Sequence, residues 1–117
     1  KKIILIDRFV DSTIAYQHFG LGINLTLIKL VNNYLLKNFK VDFTFLNTVS
    51  KYNMVKRLKL RKRLNRYDKF NNKFYQNVQK GFIKLSLRNS KKYKIINSDL
   101  DISDNKKLIL NYISKII

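Results

Sequence analysis

Three short runs of β-branched and aromatic residues, at 2–7, 40–46 and 93–96, are separated by stretches whose apolar residues recur at helical spacing. Strands that alternate with helices imply crossover connections and a parallel sheet, so the fold class read here is α/β. The first run, Ile3-Ile4-Leu5-Ile6, ends in Asp7-Arg8. It reads as a buried strand that delivers charged groups at its C-terminal tip, the edge where open α/β sheets bind ligands. In the second run Val41, Phe43 and Phe45 alternate with Asp42 and Thr44. Residues 11–19 suit a short helix, broken at Gly20-Leu21-Gly22. Asn24 is placed to cap a second helix through Leu25, Ile28, Val31 and Leu35, and Ser50 a third that runs to about Lys59. Arg61 to Tyr67 reads as a loop or helix end. A fourth helix covers roughly 69–87, with Phe70, Phe74, Val78, Phe82 and Leu85 at spacings of four and three. Ser103 starts the last, with Leu108, Ile109, Tyr112, Ile113 and Ile116 on its apolar side.

The 117 residues suffice for one domain with a modest core, and the absence of proline leaves no linker. A hydrophobic share of 45% excludes a disordered tail. No apolar stretch approaches the ~20 residues of a membrane span, and Asp7-Arg8 cuts short any secretory signal. With no cysteine there are no disulfides or thiolate metal sites, and His18 is the single histidine. The first residue is not Met and lies inside a strand-like pattern, so a fragment is expected.

Net charge is +18, without a single Glu. That balance fits a polyanion partner, either nucleic acid or a nucleotide. It fits equally a compositional drift toward Lys, Asn and Ile with a solvated basic surface, densest from Lys56 to Arg66. Arg8 carries a planar fork that can bridge two phosphates or pair with a nearby carboxylate. Ser12 and Thr13 place short hydroxyls where a helix begins, suited to a ligand or to ordinary capping.

The stretch Asp7-Arg8-Phe9-Val10-Asp11-Ser12-Thr13-Ile14-Ala15-Tyr16-Gln17 resembles the D-R-[YFH]-x-x-S-x-x-A-Y-Q segment of bacterial thymidylate kinases. Four further stretches follow in the family's order. Tyr16 to Ile23 is similar to Y-Q-x-x-G-x-G-[LI]. Lys40 to Phe45 resembles K-P-D-L-T-[FL]. Arg61 to Asp68 resembles the lid R-G-E-L-D-R-[FIY]-E, preceded by Lys56-Arg57. Phe74, Val78, Gly81 and Phe82 match F-x-x-x-V-x-x-G-[YF]. The chain departs at Val41, Leu21, Asn65 and Asn97-Ser98. No G-x-x-x-x-G-K-[ST] loop is present, and Gly20-Leu21-Gly22 lacks the Gly-Lys-Ser/Thr that would make it one.

The resemblance implies part of a P-loop nucleoside-monophosphate-kinase fold, a single partial domain over 1–117 without its N-terminal P-loop portion. The acceptor-site strand and helix would lie at about 2–19 and the lid at about 60–69. It implies transfer of the ATP γ-phosphate to dTMP with Mg²⁺. Arg8 would hold the acceptor phosphate, and Asp7 the metal's water shell. Ser12 and Thr13 would meet thymine, Tyr16 the deoxyribose, and Gln17 the base and phosphate region. Arg61 and Arg66 would close on the ATP phosphates, and Tyr67 would crowd the sugar 2′ position. It further implies a cytoplasmic enzyme, a homodimer, and neither membrane nor nucleic acid as partner. The competing readings are a small basic nucleic-acid-binding protein and an inactive truncated kinase remnant.

Overall fold

The computed structural model describes residues 2–63, 66 and 69–117. It is α/β, as the alternation of patterns implies. Helix α1 (Val10–Thr13) runs into a π-helix (Ile14–Gly20), followed by α2 (Leu25–Leu35), β1 (Thr44–Thr48), α3 (Lys51–Lys59), α4 (Asn72–Arg88), β2 (Tyr93–Asn97) and α5 (Ile102–Ile116). β1 and β2 pair in parallel, from Thr44 opposite Tyr93 to Thr48 opposite Asn97. Three helix starts are written in the local sequence. Asn24 Oδ1 accepts from the N–H groups of Thr26 and Leu27, Ser50 Oγ from Asn53, and Asn71 Oδ1 from Phe74. Each satisfies donors that the first helical turn leaves free. α5 is capped by Asp101 and begins at Ile102, one residue before the expected Ser103.

The run at 2–7, expected as a buried strand, is neither a strand nor buried. Among the described residues it has no ladder partner, and Leu5 is 85% exposed. A strand needs a neighbour to satisfy its backbone N–H and C=O groups. The second strand also moves, from 40–46 to Thr44–Thr48. Its ladder starts only where β2 starts, because a 3₁₀ turn at Ser90–Lys92 occupies the chain just before Tyr93.

The core is built between the π-helix and α4. Ala15, Phe74 and Val78 are buried there, with Tyr16, Phe70, Tyr75 and Phe82 packed around them. Two glycines permit this approach. A Cβ on Gly20 would fall 2.5 Å from the Phe74 ring, and one on Gly81 would fall 2.5 Å from the Phe19 ring. α4 also reaches the sheet, where Gln79 Oε1 accepts from the Val49 N–H at 3.0 Å. Within the sheet Leu46 and Ile96 are buried. On one sheet face Phe43, Phe45 and Lys94 meet the Tyr112 ring of α5. Among the described residues, no helix is long and apolar enough to cross a membrane.

Candidate active site

The segment 7–17 folds as a bend, one α-helical turn and the start of the π-helix. Its i→i+5 bonds, such as Leu21 N–H to the Tyr16 carbonyl at 3.0 Å, widen the turn. π-helical geometry is rare and is concentrated at functional sites. Arg8 sits at φ 62°. A non-glycine residue there is held in the left-handed region at a cost of about 1–2 kcal/mol, a strain that collects at functional sites. Its guanidinium lies 5.7 Å from the centre of the Tyr16 ring, within cation–π range. Tyr16 in turn packs edge-on against Phe74 and Phe82. Tyr16 is thus part of the core wall and at the same time a platform for the Arg8 charge.

Asp7 and Arg8 are exposed, Ser12 and Gln17 are half-buried, and Thr13 is exposed. The hydroxyls of Ser12 and Thr13 do not cap the helix. Phe9 holds the N-cap position of α1 without a side-chain bond, and its carbonyl accepts from the Ser12 N–H at 2.9 Å. Thr13, at the start of the π-helix, makes no capping bond either. His18 closes the turn that follows, its Nδ1 donating to the Ile23 carbonyl at 2.9 Å, and Gly22 supplies the left-handed residue, φ 76°, that the turn requires.

Asp11, which the sequence reading passed over, anchors this segment to the sheet. Its carboxylate accepts a short hydrogen bond from the Tyr93 hydroxyl at the first residue of β2. Burial pushes the Tyr93 phenol well above its ordinary value, and the Asp11 carboxylate adds to the rise. A cavity of about 480 Å³ lies at the same end of the sheet, lined by Phe9, Val10, Ile14, Leu36, Phe39 and Val41 with Lys29, Asn32, Asn33 and Lys37. None of the candidate site residues lines it.

The basic segment hangs from the other end. The Ser50 N–H, just before α3, donates to the Asp99 carboxylate beyond the end of β2. Arg57 Nη2 donates to the Ser98 carbonyl at 2.6 Å. Arg61 continues from α3, its N–H reaching the Leu58 carbonyl at 3.2 Å, and Arg61, Arg63 and Arg66 are exposed. Tyr67 lies outside the described residues. Segment 7–17 is therefore tied to the start of the strands and the basic segment to their end. Five strand residues, roughly 13 Å of rise, separate the two ties. Arg8 does not stand at a strand's C-terminal tip, as the sequence had led us to expect, because residues 2–7 form no strand.

Among the described residues, no group of three or more carboxylate or histidine side chains can enclose a metal ion. Mg²⁺ does not require one. It keeps most of its waters and leans on one or two carboxylates plus substrate phosphates. The single exposed carboxylate of Asp7 fits that mode.

Comparison with known proteins agrees with the motif order. The family model for thymidylate kinase matches residues 1–109. The thymidylate kinase of Wolbachia sp. subsp. Brugia malayi is 33% identical over 115 residues, which is 98% of this chain and 54% of the relative. That of Mycoplasma capricolum subsp. capricolum is 37% identical over 102 residues, 86% of this chain and 48% of the relative. The crystal structure of thymidylate kinase from Ehrlichia chaffeensis superposes with a TM-score of 0.64 at 29% identity, covering 99% of this chain and 51% of that one. The chain spans about half the length of the relatives it matches. With a family model that covers nearly its whole length, and with the motifs of 16–23 and 74–82 packed on each other through their own glycines, the chain belongs to the thymidylate kinase family.

Proposed function

We propose that this chain supplies the acceptor-binding and lid portion of an enzyme that transfers the γ-phosphate of ATP to dTMP, giving ADP and dTDP for dTTP synthesis. The observation that carries the reading is the family match over 1–109, which begins ahead of Asp7-Arg8 and runs past the lid. Phosphoryl transfer asks a protein for positioning and for positive charge on the oxygens that carry charge in the transition state. Arg8 bridges the acceptor phosphate and the transferred group. The Tyr16 ring beneath it holds the guanidinium at a fixed height, and the left-handed backbone at residue 8 turns it out of the helix direction. Ser12 and Thr13 keep hydroxyls that no cap consumes, available to the thymine edge. Tyr16 flanks the deoxyribose and Gln17 the base and phosphate region. Arg61 and Arg66 close over the donor phosphates and exclude water, and Tyr67 disfavours a 2′-hydroxyl. Asp7 would hold Mg²⁺ through the ion's water shell, and the ion would supply positive charge to offset that of the phosphates.

A second copy of the chain is the partner this reading carries. α2 exposes Leu27, Leu30, Val31 and Tyr34 along one side, each between 47% and 72% open, and Lys29 is its single charged residue. An apolar stripe depleted of charge fits the centre of an interface. The enzyme is placed in the cytoplasm. The basic nucleic-acid-binding alternative explains the charge but not the ordered motifs, and the family match favours the kinase.

The test uses the product of the complete reading frame that contains this chain. It should convert ATP and dTMP to ADP and dTDP in a coupled assay, and dTMP, but not dAMP, should raise its Tm. Absence of turnover together with equal stabilisation by both nucleotides would contradict the reading.

A further inference from the structure

One turn holds both ends of α3. Ser50, Asn53 and Arg57 follow one another at spacings of three and four and so share a side of the helix. All three meet residues 98 and 99. The Ser50 N–H donates to both Asp99 carboxylate oxygens, at 3.1 and 3.0 Å. Ser50 Oγ donates to Asp99 at 3.2 Å and Asn53 Nδ2 at 2.9 Å. At the far end of the helix Arg57 Nη2 donates to the Ser98 carbonyl. The turn is itself fixed from behind. The Ser98 N–H donates to the Thr48 carbonyl at 2.8 Å and the Asp99 N–H to Asn97 Oδ1 at 2.9 Å. Asn105 Nδ2 of α5 donates to the Asn97 carbonyl at 2.8 Å.

Ordinary capping does not call for this much. Ser50 Oγ already accepts from the Asn53 N–H. α3 has no acidic residue in its first turn, and the carboxylate that faces it comes from a distant part of the chain. Every bond from α3 to the turn is solvent-exposed, where a single contact adds little stability. Four bonds converging on one carboxylate, with a fifth to the carbonyl of the residue before it, instead fix a direction. α3 leads straight into Arg61, two residues past its end.

We propose that Asp99 is a positioning residue for the lid: through Ser50 and Asn53 it sets the angle at which α3 leaves the sheet, and thereby where Arg61 and Arg66 meet the donor's phosphates. This rests on the function proposed above. A misplacement of about 1 Å at a catalytic group costs up to about a hundredfold in rate, so an exposed clasp can matter to turnover while mattering little to stability.

Two measurements test it. In the product of the complete reading frame, Asp99→Ala should raise amide hydrogen exchange across 51–61 by about tenfold and leave 74–86 in α4 unchanged. Asp99→Glu should restore most of the protection. Unchanged exchange at 51–61, or an equal rise in both segments, overturns the clasp. In the product of the complete reading frame, Asp99→Ala should lower kcat and kcat/KM for ATP by about tenfold and leave KM for dTMP within about twofold, with partial rescue by Asp99→Glu. Unchanged kcat, or equal losses toward both nucleotides, overturns the positioning role. A wild-type protein without dTMP phosphorylation would defeat the function proposed above and this role with it, while exchange would still decide the clasp. Should Asp99→Ala not fold, Asn53→Ala removes one donor and must show the same asymmetry, or the proposal fails.

Discussion

The proposed acceptor segment, at 7–23, and the root of the proposed lid, at 48–61, attach charged groups to one small sheet by opposite means. The acceptor segment is held by apolar packing. Its π-helix lies on α4 through two glycines and the rings of Phe19 and Phe74, and Asp11 adds a polar tie to Tyr93. The lid root is held by polar bonds at the surface and leaves α3 without a buried residue. Close packing fixes the first region and tolerates little change. A set of exposed hydrogen bonds fixes the second, and it can be redirected at small cost. Under the function proposed above, this is the contrast between a fixed acceptor site and a lid that closes over its donor.

The widest difference should come from the core. Phe74→Ala removes the ring that Gly20, Tyr16, Phe70 and Tyr75 share. It should cost about 3–5 kcal/mol in denaturant unfolding. Amide exchange should rise at 10–20 well before it rises in α3; simultaneous loss of both regions would break the contrast. Gly81→Ala places a methyl 2.5 Å from the Phe19 ring edge and should cost roughly 1–3 kcal/mol, read from the shift in unfolding midpoint. An unshifted midpoint would show that the close approach is not needed. Ser50→Ala removes a cap and should cost about 1 kcal/mol, with exchange raised in α3 and not in α4.

The smallest effects are pH effects, and they carry opposite signs in the two regions. Tyr93 holds its proton more tightly folded than unfolded. Its contribution is complete below the usual phenol value of about 10 and is lost as pH rises above that. Asn53 above all holds the Asp99 carboxyl below its usual range; partial desolvation opposes it, and the Ser50 N–H and hydroxyl and the Arg57 charge reinforce it. Its contribution is complete above about pH 4 and is lost as pH falls below it. Exchange measured against pH should therefore loosen 10–20 at the alkaline end and 51–61 at the acid end. Tyr93→Phe should remove the first trend, and Asp99→Asn the second.

What could be read from the sequence follows the range of the interactions. α2, α3 and α4 were legible because their apolar spacing and their caps or starts lie within a few residues of one another. Asn24 and Ser50 cap where expected. The motif glycines were visible as letters, but their reason was not, since it lies in rings 54 and 62 residues away. The strand at 2–7 was misread because an apolar run records only a tendency, and pairing needs a neighbour in space. Asp11 and Asp99 passed unnoticed for a related reason. Each acts on a partner dozens of residues off, Tyr93 and Ser50, and no local pattern marks such a pair. Placing Arg8 on Tyr16 was within reach, since the two share one short motif, had the positive φ at residue 8 been inferable.

The measurement that bears most directly on the central claim is the kinetics of Arg8→Ala in the product of the complete reading frame, with dTMP binding measured alongside turnover. The account predicts a loss in kcat of about a thousandfold, with the Kd for dTMP changed by no more than about tenfold, the pattern left by removing a contact made in the transition state. Turnover within about twofold of the unaltered protein would contradict it.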